Sequence, residues 1–485
     1  MYALGLDVGT QGAKALVCDG EGNVVAQAAE PFATPTNVEL LPPGWSEQNP
    51  ADWWNAAAGC LRSVVDELRE AGHSPSDVKA ISVDSTSGTV VALDKSGSPV
   101  RAAIMYNDTR ATAEAEECNS AGVLLTEKLA CKFAASFALP KILWIKRNEP
   151  QVFEDASVFG HAADYIVGRL TGNFRISDTS NTLKTGYDLI DRRWPDFIES
   201  ALGIPTHKLP QVVTPGLTVG EVTKECSRET GLAGGTAVAA GVTDGTAGFL
   251  ASGAVKVGDW NSTIGTTLVV RGVSTRLIKD PLGRIYNHAH PQGYWLPGGA
   301  SNSGAECLEK LFHGRSLAEL NAYVPQYAPT SLIVYPLVRA GERLPFVNPD
   351  AEGFIIGEPR DSRDLYSAYL EGVGYVERWC LELLAELGAE VGDAVYTTGG
   401  GAKSIEWIQI RASILNKRVI KPKSTECAMG TAVVAASKTL FPDLESAACA
   451  MVKSGEEVEP NPAYVEAYDQ RYQAFRDVCA RRGYR

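Results

Sequence analysis

Met1-Tyr-Ala-Leu-Gly-Leu-Asp-Val-Gly-Thr-Gln-Gly-Ala-Lys14 opens the chain, and its reading decides the fold. Tyr2 to Leu6 is an apolar run with the length of a buried strand. Its end delivers Asp7 to an edge. Gly9, Thr10 and Gln11-Gly12 then form a tight turn, and Ala15 to Cys18 returns as the hairpin partner. The hairpin thus presents one carboxylate beside a loop rich in backbone N–H groups and hydroxyls. That combination suits a phosphate together with a divalent cation. The plainer reading is an ordinary glycine hairpin with an aspartate turn residue.

Outward from this hairpin, Asp19-Gly-Glu-Gly-Asn23 marks a turn and Val24 to Phe32 a third strand. Asn49-Pro50 starts a helix whose Trp53, Ala57, Leu61, Val64 and Leu68 share one buried face. Val78 to Val83 is a β-branched strand ending in Asp84-Ser-Thr-Ser-Gly-Thr89, a polar cluster where open α/β sheets place ligands. Val242-Thr-Asp-Gly-Thr-Ala-Gly248 offers a second carboxylate, Asp244, at a helix start. Strand, glycine/threonine turn, strand, strand and helix then recur in the same order, from Trp260 through Gly265-Thr266-Thr267 to Ser303. The expectation is two domains of one architecture, 1–248 and 249–485. A third glycine turn, Gly399-Gly-Gly-Ala-Lys403, lies between a strand and a helix and suits a phosphate or nucleoside.

Bulk properties agree. At 485 residues the chain exceeds one core, so about two to three domains are expected. A net charge of −13 disfavours nucleic acid, which is bound through a basic face. The start lacks a basic n-region, and no apolar run has the roughly 20 residues that span a bilayer, so neither a leader nor a membrane partner is expected. Ten scattered cysteines without a C-x-x-C pair read as reduced core thiols of a cytoplasmic protein. His288 and His290 alternate onto one strand face, with no third metal ligand in view.

The segments Leu6–Gly12, Trp45–Pro50, Tyr106–Arg110, Gly241–Gly245, Ser262–Thr266, Ala340–Arg343 and Thr398–Lys403 form, in this order, a set that resembles the FGGY carbohydrate kinases of the actin-like ATPase superfamily. The resemblance covers nearly the whole chain. It implies an α/β fold of two ribonuclease-H-like domains with the active site in the interdomain cleft. It implies ATP and Mg²⁺, with Asp244 as general base and Asp7 organising the metal. Gly9, Thr10, Gln11 and Lys14 would form the first phosphate turn, and Gly265 and Thr266 the second. Gly400, Gly401, Ser404 and Trp407 would line the adenosine pocket. Beside Asp244, the expected sugar contacts are Trp45, Ser85, Ser87 and Asp108.

Several of these residues have plainer readings. Trp45 fits a loop anchor, Asp108 an ion-pair partner of Arg110, Ser85 and Ser87 local caps, and Trp407 helix core. The loop Ser85-Thr-Ser-Gly-Thr89 has no Met-His pair of the kind typical of xylulose kinases, and Ser177–Asp188 resembles a D-ribulose kinase branch. The expectation is therefore a monomeric or homodimeric kinase acting on a ketopentose, D-ribulose first, with D-xylulose or another polyol as the alternative. A sugar-sensing ATPase of the same fold without turnover is the reading from another class.

Overall fold

The computed structural model describes residues 1–33 and 41–485. The chain divides into two compact units. The first comprises 1–251 with 288–293 and 426–453; the second comprises 252–287, 294–425 and 454–485. Two returns of the chain cross the expected boundary at residue 248, the larger carrying helices at Cys427–Ala436 and Leu444–Met451.

In the first unit the opening meander forms as its pattern predicts. It consists of β1 (Tyr2–Val8), β2 (Gly12–Asp19) and β3 (Val24–Pro31), all antiparallel. Asn49 caps helix α1 (Pro50–Glu70) by accepting from the Ala51 N–H. That helix buries Trp53, Trp54, Leu61, Val64 and Leu68. Strand β4 (Val78–Ser85) joins β1 in parallel, and β6 (Ala237–Thr243) joins β4 in parallel. Strand β5 (Thr218–Glu221) closes the edge antiparallel to β6. The resulting order is β5-β6-β4-β1-β2-β3. Helix α2 (Asp244–Ala251) leaves directly from the end of β6.

The second unit repeats this plan. Strands β7 (Trp260–Ile264), β8 (Leu268–Gly272) and β9 (Trp295–Ser301) form the meander. Helix α3 (Ser362–Glu386) precedes β10 (Ala394–Thr398), which lies parallel to β7. Helix α4 (Ile405–Leu415) leads to β11 (Arg418–Pro422), parallel to β10, and β12 (Ser454–Val458) closes antiparallel to β11. Within a seven-stranded sheet, the run β9-β8-β7-β10-β11-β12 matches meander, two parallel strands and an antiparallel edge in the first unit. The C-terminal helix, Pro462–Arg481, buries Tyr468, Tyr472 and Phe475.

Close backbone approach fixes where the strand ends lie. The register of β6 on β4 shifts between Ala239 and Val242, and Gly241 falls in that bulge. A Cβ at Gly241 would stand 1.7 Å from the Val83 carbonyl oxygen, which is backbone and has nowhere to go. Gly241→Ala is expected to cost about 1–3 kcal/mol, read as a lower urea midpoint at unchanged m-value. A variant as stable as the parent would mean that the two strands separate easily. Gly5 plays the same part on β1, where an added Cβ would meet the Ala428 carbonyl at 1.9 Å. The small side chains of the 427–436 helix are thus a packing requirement: the helix lies directly on β1. No helix among the described residues is long and apolar enough to cross a membrane.

Candidate active site

Three neighbouring parallel strands of the first unit end in carboxylates. Asp7 pairs in register with Asp84 across β1 and β4, so both side chains leave the sheet on one face. Asp84 is also the register partner of Val242, two residues before Asp244. Asp244 is the first residue of α2, where a helix N-terminus favours negative charge, and its Oδ1 accepts from the Gly245 N–H at 2.6 Å.

The glycine turn closes over Asp7. The Gly9 N–H donates to the Gly12 carbonyl at 3.0 Å, and Gln48 Nε2 holds the Thr10 carbonyl at 2.7 Å. A Cβ on Gly9 would lie 3.9 Å from Asp7 Oδ1, so the carboxylate sits under the turn. Lys14 is the register partner of Asp7 on β2, and its Nζ meets Glu426 Oε2 at 2.9 Å. Asp7, Gly9 to Lys14, Ala29 to Pro31 and Tyr106 line an open hollow of about 680 Å³.

The charges are close enough to disturb one another. Burial pushes the Asp84 carboxyl well above the usual carboxylate range, and the Asp7 and Asp244 charges push the same way. Burial also raises Asp7, with Asp244 adding to the effect while Asp84 and Lys14 oppose it. Asp84 has no exposed surface; Thr431 Oγ1 donates to its Oδ2, and a side-chain hydrogen bond links it to Asp7. Two carboxyl groups this close share a proton or would face a cation together.

Asp84, Thr431, Cys427 and Glu426 were not singled out by the sequence reading. Cys427 donates to the Asp244 carbonyl at 3.6 Å. Only strand register makes Asp84 a neighbour of Asp7, and only the return of residues 426–453 supplies the other three. The legible signal was the polar cluster at the end of β4.

The elevated Asp84 carboxyl carries a pH signature. Its folded pKa lies above its unfolded one, so the folded state holds a proton that the unfolded state has released. Stability from this group is present at low pH and is lost as pH rises from the ordinary carboxylate range through the folded value. Asp84→Asn cannot ionise. It is expected to be more stable than the parent at pH 8, with the gain shrinking toward pH 4, as read by urea unfolding at both values. Equal stabilities at pH 8 would show Asp84 to be comfortably ionised.

Five other residues expected at the site have partners within the protein. Asp108 is fully buried and accepts from the Ser46 N–H at 2.6 Å and from the Arg110 side chain at 2.7–3.0 Å, so it organises a loop. Trp45 is packed beneath that Arg110, whose guanidinium carbon lies 3.7 Å from its ring centroid, with Trp144 at its edge. Ser85 is fully buried and its Oγ accepts from the Ala163 N–H. Trp407 belongs to the core of the second unit, 3% exposed, with its indole N–H on the Leu370 carbonyl. Ser404 caps α4 by accepting from the Trp407 N–H. Ser87 differs: its Oγ is buried without a partner.

In the second unit the turn after β7 is open. Nothing lies within 4 Å of a Cβ placed on Gly265, and Thr266 is exposed. Gly399, at φ +82°, begins the turn after β10, and a Cβ there would lie 2.6 Å from the Ile264 carbonyl. The turn with Gly400 and Gly401 therefore stands beside the Gly265–Thr266 turn.

Comparisons with known proteins agree with this architecture. Residues 2–251 match the N-terminal domain of the FGGY family of carbohydrate kinases, and residues 260–439 its C-terminal domain. The chain is 28% identical to a xylulose kinase of Bacillus subtilis strain 168, over 98% of this chain and 96% of that one. It is 30% identical to a xylulose kinase of Escherichia coli K12, over 86% of each. Among solved structures, a xylulose kinase from Rhodospirillum rubrum superposes with a TM-score of 0.85 at 28% identity, covering 99% of this chain and 98% of that one. A structure titled xyloylose kinase from Brucella ovis also gives 0.85, at 27% identity and 99% coverage of both. The chain therefore belongs to the FGGY family of carbohydrate kinases and is an ATP-dependent sugar kinase.

Proposed function

We propose that the enzyme transfers the γ-phosphoryl group of ATP to the terminal hydroxyl of a ketopentose. The observation that carries this reading is the row of carboxylates at the ends of β1, β4 and β6 beside a glycine turn. Asp244 has a chemical task that its position suits: it accepts the proton of the attacking hydroxyl. The turn at Gly9, Thr10 and Gln11, with Lys14, offers N–H and ammonium donors to phosphate oxygens. Gly265, Thr266, Gly400 and Gly401 offer further backbone donors to the nucleotide.

Asp7 would hold Mg²⁺. Among the described residues no three His, Cys, Asp or Glu side chains are gathered into a full metal cage. Mg²⁺ needs no such cage, since it binds through one or two carboxylates, phosphate oxygens and water. When bound it neutralises charge on the phosphates. Ten free cysteines suit a reducing, cytoplasmic setting.

D-Xylulose leads as acceptor, because the relatives named above are xylulose kinases over nearly their whole length. This reverses the order that the 85–89 loop alone had set. D-Ribulose is the second reading, favoured by that loop, where small hydroxyl residues stand in place of a Met-His pair. A coupled ADP-release assay with MgATP against D-xylulose, D-ribulose, ribitol, arabinitol and glycerol decides. Turnover on either ketopentose well above the polyols is the expected outcome. A clear preference for glycerol or a pentitol would overturn the ketopentose reading.

A further inference from the structure

The segment Ala340–Arg343 stands out in the sequence and has no part in the function read so far. Its Glu342 is buried, 3% exposed, and among the described residues no Lys, Arg or His pairs with it. Five neutral donors stand there instead. Oε2 accepts from Ser301 Oγ at 2.9 Å, from Tyr335 OH at 3.0 Å and from Ser303 Oγ at 3.1 Å. Oε1 accepts from the Asn302 N–H at 2.7 Å and from the Arg343 N–H at 3.0 Å. Hydroxyls and peptide groups thus replace the water that a buried carboxylate has lost. Glu342 is itself pinned, because its N–H and carbonyl exchange bonds with Asn348 at 2.8 and 2.9 Å.

Three of the five donors, on Ser301, Asn302 and Ser303, follow one another where β9 ends. The Asn302 side chain adds a bond of 2.9 Å to the Gly341 carbonyl. The chain then runs onto the turn after β7. The Leu268 N–H donates to the Ser303 carbonyl at 2.8 Å, the Ala305 N–H to the Gly265 carbonyl at 2.8 Å and the Glu306 N–H to the Thr266 carbonyl at 3.3 Å. Gly304 lies flat on that turn, where an added Cβ would stand 2.5 Å from the Thr266 carbonyl oxygen. Residues 303–306 therefore hold both carbonyls of Gly265 and Thr266, and with them the directions of the peptides in the turn.

We infer that Glu342 is a positioning residue for the nucleotide: it fixes residues 301–303, which carry 304–306 onto the Gly265–Thr266 turn and so aim the peptides that meet a phosphate. This rests on the reading of that turn as a phosphate site. The task calls for a carboxylate, since five donors converge on one group. An amide would keep a single acceptor oxygen and bring two donors of its own into a place that already has five.

The test measures KM for MgATP, KM for the preferred sugar and the urea midpoint in the wild type, in Glu342→Gln and in Gly265→Val. Glu342→Gln is expected to raise KM for MgATP by about 10–100-fold while KM for the sugar stays as it was. A merely structural carboxylate would lower the urea midpoint and leave both KM values of the folded enzyme unchanged, and that result overturns the inference. An equal rise in both KM values overturns it too. Should Glu342→Gln not fold, Ser303→Ala takes its place; it removes one of the five donors, and a rise of about 2–10-fold in KM for MgATP alone is expected. Gly265→Val checks the turn itself. Nothing lies within 4 Å of a Cβ at Gly265, and its backbone is outside the left-handed region, so the variant should fold like the wild type. Its side chain would stand on the phosphate side and raise KM for MgATP. An unchanged KM in Gly265→Val overturns the phosphate reading of the turn and the role of Glu342 together. A raised KM there beside an insensitive Glu342→Gln overturns only the latter.

Discussion

Asp244→Asn is expected to lower sugar phosphorylation by about 10²–10⁴-fold while MgATP binding persists, the range over which a positioned general base acts. Asparagine keeps the oxygen that accepts from the Gly245 N–H, so the start of α2 survives the change. What disappears is the proton acceptor and one negative charge. Removing that charge also relieves Asp7 and Asp84, both of which Asp244 pushes upward. The variant should therefore be at least as stable as the parent. Nucleotide binding by calorimetry and steady-state turnover with the preferred sugar, measured on one preparation, separate the two effects. Turnover near the wild-type level would remove Asp244 from the chemistry. Loss of nucleotide binding in a folded variant would make it part of the phosphate site instead.

Much of this arrangement is legible in the sequence, for physical reasons. A meander followed by a glycine turn is local information, and it occurs at both 2–31 and 260–301. Asp7 and Asp244 announce themselves because each stands where a strand stops and glycine begins. What local pattern could not supply is whatever the fold brings together from afar. Asp84 looks like one member of a polar cluster until β4 is laid against β1 in register. The 427–436 helix looks like a small-residue helix until Gly5 and Gly430 require it to be one. Other residues expected at the site pose the opposite case. Asp108, Ser85 and Trp407 are polar or aromatic groups whose partners are Arg110, the Ala163 N–H and the Leu370 carbonyl. From sequence, a side chain satisfied internally and one waiting for a ligand look alike.

Arg411→Met should destabilise the protein by about 3–5 kcal/mol, the cost of stranding one partner of a buried pair. Arg411 on α4 and Glu377 on α3 are both fully buried. They meet through two parallel bonds, Nε to Oε2 at 2.6 Å and an Nη to Oε1 at 2.7 Å. The remaining Nη donates to Thr397 Oγ1 at 2.7 Å, and Thr397 lies one residue before the end of β10. The pair therefore anchors two helices to the strand that feeds the Gly399–Lys403 turn. Removing the guanidinium leaves the Glu377 carboxylate uncompensated in a medium that cannot solvate it. Removing both charges, as in Glu377→Leu/Arg411→Met, should recover most of the loss, because the desolvation cost of the pair disappears with its attraction. A double-mutant cycle by urea unfolding measures this directly. A double variant no more stable than the sum of the two single losses would show that the pair's value lies in the shape it fills. Recovered stability with a raised KM for MgATP would instead place its value in setting the turn after β10.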